Sequence, residues 1–424
     1  MNIPANSNPT AAGTGGSTLV RRCQISGSEN LQSVIFLGFL PPVNTMAPIG
    51  ERPSEQPAYP AEMLYCPESK LVQLGLIVDP AILFPPHYAY TSGTTKILRE
   101  NFAELYQEVM RLYPLKKEHL VADIGSNDGT LLINFHQGGH RTCGIEPTNA
   151  YRLAVEKGIP SLNRFFGPDA SAEVVRTHGK AQIVTATNVF AHIENIHEIV
   201  ASILAMLDEG GIFISESHYL LPLVDTLQYD TIYHEHLRYY SVESLQYLLE
   251  MHGLEIIHVK PIPTHGGSIR VYASRRGKHP VQASVAEQIR REQADLSWES
   301  LLKFRRRVSQ SKLDLMSLLR EIRSKNQRVF GIGAPSRAST LVNYVGLDDT
   351  ILDCVLEIKG SYKIGKYMPG TLIPVLEEEI LFEKQPEYAL LFSWHIADEL
   401  IPKLRQKGYR GKFIVPLPTP KIVD

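Results

Sequence analysis

The spacing of hydrophobic and polar positions divides this chain into regions of different character. Residues 19–96 carry short apolar runs, turns and many prolines, which predict a small, irregular, mostly β module. Strand-like and helical spacings alternate over residues 97–280, which predicts a parallel sheet with covered faces. Residues 281–327 contain neither Pro nor Gly and predict a helical linker, after which residues 328–424 resume the α/β alternation. Residues 1–18, rich in Ala, Gly, Ser and Thr, predict a flexible tail.

The central region supplies the clearest predicted elements. Its predicted helices cover residues 97–113, 130–136, 150–157, 196–207 and 244–252. Its predicted strands cover residues 120–125, 141–146, 182–188 and 212–216, followed by two alternating runs at 256–260 and 268–274. A short loop joins those two runs, so we expect an antiparallel pair at the edge of the sheet. The predicted fold class is α/β, with a Rossmann-like central sheet, a small β module before it and a second α/β domain after it.

The composition of the chain excludes several classes of function. Its 424 residues include 43 Lys and Arg against 45 Asp and Glu, so it lacks the positive charge of a general nucleic-acid binder. No apolar run approaches the ~18 residues of a membrane span, and the N-terminus lacks the features of a secretory signal. Four cysteines are too few for a disulfide scaffold. We expect a cytoplasmic protein without nucleic-acid or membrane partners; the sequence leaves its oligomeric state open, with a slight preference for a monomer.

Residues 120–129 predict a strand, an acidic and glycine-rich turn, and the start of a helix. Glycines let a ligand approach the backbone closely, and the helix start offers unpaired N–H donors. The acidic side chains suit a cationic ligand with an amine, and Glu146, at the end of the next strand, can accept both hydroxyls of a ribose. S-adenosylmethionine meets these requirements, and an ordinary strand-to-helix turn is the alternative. The candidate cofactor-binding residues are Asp123, Gly125, Ser126, Asn127, Asp128, Gly129, Glu146 and Asn188.

The densest group of titratable and aromatic side chains lies in residues 230–241. His234, Glu235 and His236 are consecutive there, next to Tyr233. A histidine near neutral pH with a neighbouring Glu or Tyr suits general acid–base catalysis. A capped helix start and a metal site are the alternatives, although a pair of histidines separated by one residue is weak evidence for zinc. His192 ends a neighbouring strand and overlooks the same crevice, either as a ligand or as a helix cap.

Two further glycine-rich turns are candidate anion sites. Residues 264–270 predict either a hairpin or a backbone nest with an Arg beside it. Residues 331–337 predict a second strand, glycine turn and helix start, which is either a phosphate cradle or a structural turn. The candidate substrate-binding residues are His265, Gly267, Ser268, Arg270, Ser336 and Arg337.

These motifs together resemble the sugar C-methyltransferase family, whose members add a methyl branch to carbon 3 of a nucleotide-linked 4-keto-deoxysugar. The resemblance covers residues 23–418. Its motifs occur in the family's order: IGSNDG at 124–129, NVFAH at 188–192, DTIYHEH at 230–236, THGGSIRVY at 264–272, GIGAPSRASTLVNY at 331–344, GKYMPGTLIPV at 365–375 and KFIVPLP at 412–418.

The resemblance implies three domains: a zinc-binding N-terminal module, a class I methyltransferase domain that binds S-adenosylmethionine, and a C-terminal α/β domain that completes the sugar-nucleotide site. It places the cofactor turn on residues 125–129 and the ribose-binding carboxylate on Glu146. The catalytic residues that it implies are His192, Tyr233, Glu235, His236 and either Tyr88 or Tyr90. We expect His236 to remove a proton next to the ketone with Glu235 orienting it, and Tyr233 and His192 to hold the enolate oxygen without a metal.

The N-terminal module departs from the family's pattern of two C-x-x-C pairs. The second cysteine of each pair is replaced by a serine here. Ser26 is three positions after Cys23, and Ser69 is three positions after Cys66. Structural zinc takes four ligands, and two thiolates with two hydroxyls make a poor set. We therefore expect zinc binding to be lost or much weakened.

Two substitutions in the C-terminal region keep the charge that the family commonly has. Arg337 stands where Lys is common, and Glu357 where Asp is common, which points to a different nucleotide or sugar. Two rival functions stay open: an O- or N-methyltransferase acting on a nucleotide sugar with the same scaffold, and a non-catalytic relative that binds a sugar nucleotide. Dependence on a keto group in the substrate separates C-methylation from the first rival.

Overall fold

The computed structural model describes residues 16–84, 92–94 and 96–424. Its central sheet consists, in spatial order, of strands Leu254–Ile262, Ser268–Arg275, Leu207–His218, Ala181–Thr187, Leu120–Ile124, Arg141–Ile145 and Ser161–Leu162. Strand Ser268–Arg275 is antiparallel to both of its neighbours, and the remaining pairs are parallel. The parallel sheet and its antiparallel edge pair are therefore confirmed.

Helices cover both faces of the central sheet. Val121 packs in an apolar cluster with Phe102 and Phe135, whereas its neighbour Ala122 packs in another cluster with Ile203. This difference arises because successive residues of a strand point to opposite faces. The helices of this region are Lys96–Leu112, Leu132–Gln137, Tyr151–Glu156, Pro168–His178, Ile196–Met206, Leu220–Asp225, Val242–Met251 and Ala283–Asp295. Among the described helices, none combines the length and apolar character that a membrane crossing requires.

An N-terminal sheet consists of three strands that precede the central region in sequence and one strand from within that region. Its strands, in spatial order, are Arg238–Tyr239, Val72–Leu74, Tyr59–Tyr65 and Gln32–Leu40, all paired antiparallel. Strand Thr18–Leu19 pairs with Leu76–Ile77, and a short helix follows at Pro80–Leu83. The prediction of a flexible tail is thus wrong for Thr18, and residues 1–15 lie outside the described residues.

A C-terminal sheet forms the second α/β unit. Its strands, in spatial order, are Val375–Glu377, Cys354–Glu357, Val329–Ile332, Tyr388–Leu391, Lys412–Val415 and Lys421–Val423, and the last of them is antiparallel. The helices of this unit are Ser336–Val345, Glu379–Lys384 and Ala397–Gln406. The crevice at the carboxyl ends of its parallel strands is where such sheets bind ligands.

The helix Trp298–Ser324 connects the N-terminal and C-terminal sheets through a shared apolar core. Phe304 of this helix belongs to one cluster with Val34 and Met63 of the N-terminal sheet and Phe330 of the C-terminal sheet. Its first residue stacks on Tyr65, with ring centroids 5.9 Å apart. The segment predicted as a linker therefore contributes to the core that holds these two sheets together.

Among the elements that the sequence pattern does not predict, two show the reasons. Helix Pro168–His178 buries little more than Ala170 and Val174, so its apolar stripe is short. Strand Arg238–Tyr239 has only two residues, and its partner strand is more than 160 residues earlier in the chain. Local periodicity carries no information on such a pairing.

Candidate active site

The glycine-rich turn at residues 125–129 has a backbone shaped for close approach of a polar ligand. Gly125 and Gly129 have φ of +67° and +74°, a region that favours glycine. A Cβ at position 125 would lie 2.7 Å from Cγ1 of Val189. Among the described residues, no partner meets the buried hydroxyl of Ser126. An orphaned buried hydroxyl beside a tight turn fits a polar ligand that would satisfy it.

Glu146 holds this turn from the end of the neighbouring strand. One carboxylate oxygen accepts a hydrogen bond from the N–H of Asn127 at 2.9 Å, and the other accepts from the N–H of Thr148 at 2.8 Å. Each oxygen has a further lone pair. The carboxylate can therefore accept ligand hydroxyls while it fixes the turn.

The acidic side chains of the turn are compensated within the protein. Thr185 donates its hydroxyl to Asp123 at 2.6 Å, and burial raises the pKa of Asp123 to about 7. The carboxylate of Asp128 accepts from Thr130 at 2.6 Å and lies 3.4 Å from Nζ of Lys157. Lys157 therefore compensates part of the negative charge that Asp128 is predicted to present to a cationic ligand.

The segment 92–94 is pinned to the same turn. The N–H groups of Ser92 and Gly93 donate to the side chains of Asn127 and Asp128 at 2.9 and 3.1 Å. The predicted catalytic candidates Tyr88 and Tyr90 precede this segment in the chain and lie outside the described residues.

Asn188 and His192 follow the carboxyl end of strand Ala181–Thr187. Asn188 has φ of +58°, and its N–H donates to the carbonyl of Glu216 at 2.8 Å. Nδ1 of His192 donates to the backbone carbonyl of Glu235. The structure therefore brings His192 to the predicted 230–241 cluster.

His236 is held in one tautomer by the backbone. Its Nδ1 lies 2.8 Å from the carbonyl oxygen of Thr231. Since a carbonyl can only accept, Nδ1 carries the proton and Nε2 keeps its lone pair. Burial, together with the neighbouring His192, lowers the pKa of His236 to about 3, below the neutral range expected from the sequence. The ring is therefore uncharged at neutral pH, with its single proton on Nδ1.

Aromatic side chains surround the ring of His236. Its centroid lies 4.1 Å from that of Tyr233, 5.1 Å from that of His192 and 5.2 Å from that of His218. His218 was not among the predicted site residues. The signal that could have found it is its position at the carboxyl end of strand Leu207–His218, which is parallel to the strand before His192.

Glu235 does not have the orienting role that the sequence suggested. Its Oε1 accepts a hydrogen bond from Nδ2 of Asn44 at 2.7 Å, and Thr231 rather than Glu235 fixes the tautomer of His236. Burial raises the pKa of Glu235 to about 7, against the opposing effects of Asn44 and the charge of Lys363. Burial therefore favours the protonated form of Glu235 more than in an exposed glutamate.

The two histidines of the 234–236 motif contact different parts of the protein. His234 lies 3.3 Å from the carbonyl of Pro60 and packs its ring edge-on against Tyr59, whereas His236 contacts Thr231. Their ring nitrogens do not converge on a common point. The arrangement gives no support to the alternative of a metal held by this pair.

Arg270 is not available to a substrate in this structure. Its side chain is fully buried, and it donates to Glu216 at 2.6 Å, to Glu104 at 2.7 Å and to Glu108 at 2.9 Å, with Asn101 accepting the remaining bonds. The prediction that Arg270 binds an anionic group is wrong, because neighbouring carboxylates already compensate its charge.

Arg337 likewise joins parts of the protein rather than facing a phosphate. It donates two hydrogen bonds to the carboxylate of Asp230, at 2.7 and 2.8 Å, and Trp394 donates to the same carboxylate at 2.7 Å. Its remaining N–H groups meet the carbonyl of His265, Nδ1 of His395 and Gln228. Since a guanidinium has five N–H donors, each one has a partner within the described structure. The prediction of Arg337 as a phosphate ligand is therefore wrong for this conformation.

The turn at 264–268 lies against the histidine cluster. The ring centroids of His218 and His265 are 5.7 Å apart, and burial, with Arg337 and His192 nearby, lowers the pKa of His265 to about 4. Gly267 has φ of +123°, and a Cβ there would lie 2.7 Å from Pro222. Ser268 donates its hydroxyl to the carbonyl of Thr264 at 3.1 Å. Nδ1 of His265, in contrast, has no hydrogen-bond partner among the described residues.

The four positions of the degenerate zinc motif do come together. The sulfur of Cys23 lies 3.1 Å from the hydroxyl of Ser69, and the hydroxyl of Ser26 lies 3.6 Å from the sulfur of Cys66. These hydrogen bonds connect the segment at 23–26 with the segment at 66–69. Serine hydroxyls are not among the usual protein ligands of zinc, so the donor set does not fit a structural zinc ion.

Purified protein is expected to contain far less than one zinc per chain, because thiolates are missing at two ligand positions. Inductively coupled plasma mass spectrometry measures the metal content. The variant Ser26→Cys/Ser69→Cys restores four thiolates and should gain close to one zinc per chain. Stoichiometric zinc in the wild type, lost in Cys23→Ser/Cys66→Ser, would show that other residues complete the site.

Sequence families match successive parts of the chain. Residues 23–84 match the family described as a putative zinc binding domain, residues 97–259 a methyltransferase domain, and residues 263–418 a C-methyltransferase C-terminal domain. The C-methyltransferase NovU of Streptomyces niveus is 30% identical over 419 residues, which cover 96% of this chain and 97% of NovU.

Two solved structures are similar to less than half of this chain. Magnesium protoporphyrin IX methyltransferase of Synechocystis PCC 6803, with bound SAM, is 15% identical and covers 42% of this chain and 79% of its own, with a TM-score of 0.33. The glycopeptide N-methyltransferase MtfA, complexed with (S)-adenosyl-L-methionine, is 13% identical and covers 45% of this chain and 98% of its own, also with a TM-score of 0.33.

Proposed function

This chain belongs to the C-methyltransferase family, and from that premise we propose that its substrate is a nucleotide-linked 4-keto-deoxysugar. The chain is an S-adenosylmethionine-dependent methyltransferase. We propose that a proton on the carbon next to the ketone is removed, which leaves an enolate. S-adenosylmethionine, held around the turn at 125–129, would supply the methyl group to that carbon and leave as the neutral thioether. The ketone makes this C–H acidic, which is why the 4-keto group is part of the proposal.

The residues proposed to hold S-adenosylmethionine are those around the turn at 125–129. Glu146 offers acceptor oxygens to the ribose hydroxyls, and the orphaned hydroxyl of Ser126 offers a further polar contact. The bound cofactor supplies an electrophilic methyl group on a sulfonium. The protein's part is to hold that methyl group in line with the acceptor carbon.

The observation that carries the proposed chemistry is the fixed tautomer of His236. Because Thr231 accepts from Nδ1, the lone pair on Nε2 is available to take the proton from carbon. The pKa of His236 is low because of burial. The negative charge that develops on the enolate raises that pKa as the proton moves, since an opposite charge favours the imidazolium.

His192 is a weak candidate for donating a hydrogen bond to the enolate oxygen. Neutral His192 has one N–H, and it already donates that proton to the carbonyl of Glu235. Burial lowers the pKa of His192, which disfavours a second proton. Tyr233 lies against the ring of His236 and carries a hydroxyl that can donate to a developing oxyanion.

Ser336 and His265 are the proposed contacts to the substrate's diphosphate. Ser336 is the first residue of the ten-residue helix Ser336–Val345, whose N-terminus suits an anion. Nδ1 of His265 has no partner among the described residues. With Arg270 and Arg337 committed elsewhere, these neutral donors support recognition by hydrogen bonds rather than by a free guanidinium.

Incubation with S-adenosylmethionine and a panel of nucleotide 4-keto-deoxysugars tests this function. Mass spectrometry should detect the gain of one methyl group, and fragmentation should place that group on carbon next to the ketone. The same sugars with the ketone reduced are the matched control and should not react. Methylation of the reduced sugars on oxygen or nitrogen would overturn the proposal of C-methylation.

Glu146→Ala is expected to weaken S-adenosylmethionine binding by ~1–3 kcal/mol, because the ribose hydroxyls lose a charged acceptor. Isothermal titration calorimetry measures the affinity. Glu146→Gln keeps one acceptor oxygen and should show a smaller loss. An unchanged affinity in Glu146→Ala would remove Glu146 from the cofactor site.

A further inference from the structure

A segment of the N-terminal region, residues 41–50, lies across the C-terminal region as a strap. Backbone bonds hold it there: the N–H of Ile49 donates to the carbonyl of Gly365 at 2.9 Å, and the N–H of Tyr367 donates to the carbonyl of Ala47 at 2.8 Å. The hydroxyl of Tyr367 also accepts from the N–H of Gly50 at 3.1 Å. The position of this strap is thus set by the loop at 361–367.

The strap places one polar side chain, that of Asn44, at the catalytic cluster, the group formed by His192, Tyr233, Glu235 and His236. Nδ2 of Asn44 donates to Oε1 of Glu235 at 2.7 Å, and Oδ1 of Asn44 accepts from the hydroxyl of Tyr362 at 3.3 Å. The orientation of the amide follows from its partners, because a carboxylate accepts and a phenol can donate. Glu235, Asn44 and Tyr362 therefore form a chain of hydrogen bonds across three parts of the protein.

Glu235 has few other means of stabilising its charge. Its side chain is buried, and the titratable and charged groups that face it are Lys363 and Tyr362 from the C-terminal loop. His192 bonds to the backbone carbonyl of Glu235 rather than to its carboxylate. Nζ of Lys363 is bonded to the carbonyl of Ala334. Asn44 therefore makes the direct side-chain hydrogen bond to this carboxylate, while Lys363 acts through its charge.

We propose that Asn44 is a positioning residue that holds the carboxylate of Glu235 in the catalytic cluster, and that Tyr362 holds Asn44 in turn. The inference deepens the proposed function and rests on it for placing Glu235 within the active site. It assigns the N-terminal region a part in the active site. Burial raises the pKa of Glu235, and the neutral donor Asn44 opposes that rise less than a directly bonded ammonium would.

Three variants and one control test the inference. Asn44→Ala removes the donor, Asn44→Asp replaces it with a like charge, and Tyr362→Phe removes only the hydroxyl behind it. Tyr367→Phe is the matched control, because it deletes a hydroxyl contact between the same strap and the same loop. The titration of Glu235 is followed by infrared difference spectra against Glu235→Gln, and the pH profile of methyl transfer is measured alongside.

Asn44→Ala is expected to move the titration midpoint of Glu235 up by about one pH unit, since a hydrogen bond to the charged form is lost. Asn44→Asp should raise the midpoint further, and Tyr362→Phe should raise it less. Tyr367→Phe should leave it unchanged. The acid limb of the pH profile of methyl transfer should shift by the same amount in each variant. An unmoved midpoint in folded Asn44→Ala, or an equal shift in Tyr367→Phe, would overturn the inference. The infrared titration needs no turnover, so absence of methyl transfer in the wild type would refute the proposed function separately.

Discussion

His236→Asn should lower methyl transfer by ~10²–10⁴-fold, the usual contribution of a general base, while both ligands still bind. The reason lies in one hydrogen bond: the carbonyl of Thr231 accepts from the N–H at Nδ1, so Nε2 is the basic atom of the ring. Asparagine retains an N–H donor for the carbonyl of Thr231 but has no basic nitrogen. Steady-state kinetics on the keto sugar measures the loss, and calorimetry checks binding.

Exchange of the substrate's carbon-bound proton with deuterated water isolates the step assigned to His236. Wild-type enzyme with the demethylated cofactor product should catalyse this exchange, and His236→Asn should not. Glu235→Gln is the matched control and should be a milder lesion, because the carboxylate contacts Asn44 rather than His236. Full exchange in His236→Asn would move the role of base to Glu235 or Tyr233.

The sequence was informative where chemistry follows regular local structure. The carboxyl ends of strands Leu120–Ile124, Arg141–Ile145 and Ala181–Thr187 do meet at one edge of the sheet. Chain order and the parallel rule therefore sufficed to place Glu146 and His192 on the same side. The motif at 230–236 was identified by its density of titratable residues, and the structure brings His236 beside His192.

Long-range partners were beyond the reach of the sequence pattern. Asn44 is 191 positions from Glu235, and nothing in local spacing connects them. Thr231 holds His236 through a backbone carbonyl, a group that every residue carries. His218 was missed because a single histidine at a strand end has no motif around it.

The two arginines show why residue type alone misassigned a role. Arg270 and Arg337 both follow glycine-rich turns, which is the usual setting for an anion site. Each is instead buried against carboxylates: Glu216 opposite Arg270 on the adjacent strand, and Asp230 opposite Arg337 from a distant segment. A buried guanidinium must be paired, so the pairing within the protein takes precedence over a ligand.

Arg337→Leu is expected to lower the free energy of unfolding by ~3–5 kcal/mol, because it leaves Asp230 buried without its cationic partner. Chemical denaturation followed by circular dichroism measures the loss. Arg337→Lys should recover only part of it, since a single ammonium cannot reproduce the two parallel bonds to the carboxylate. Activity should fall as well, because Asp230 directly precedes Thr231, whose carbonyl fixes His236.

A double-mutant cycle separates the anchoring role of Arg337 from the role of a phosphate ligand. If Arg337 and Asp230 stabilise the protein as a pair, Asp230→Leu/Arg337→Leu should be clearly more stable than the sum of the single losses implies, because neither charge is left uncompensated. A phosphate ligand would give the opposite pattern: unchanged stability in Arg337→Leu and weaker binding of the nucleotide sugar. The paired bonds of 2.7 and 2.8 Å across the boundary between the central and C-terminal regions favour the first outcome.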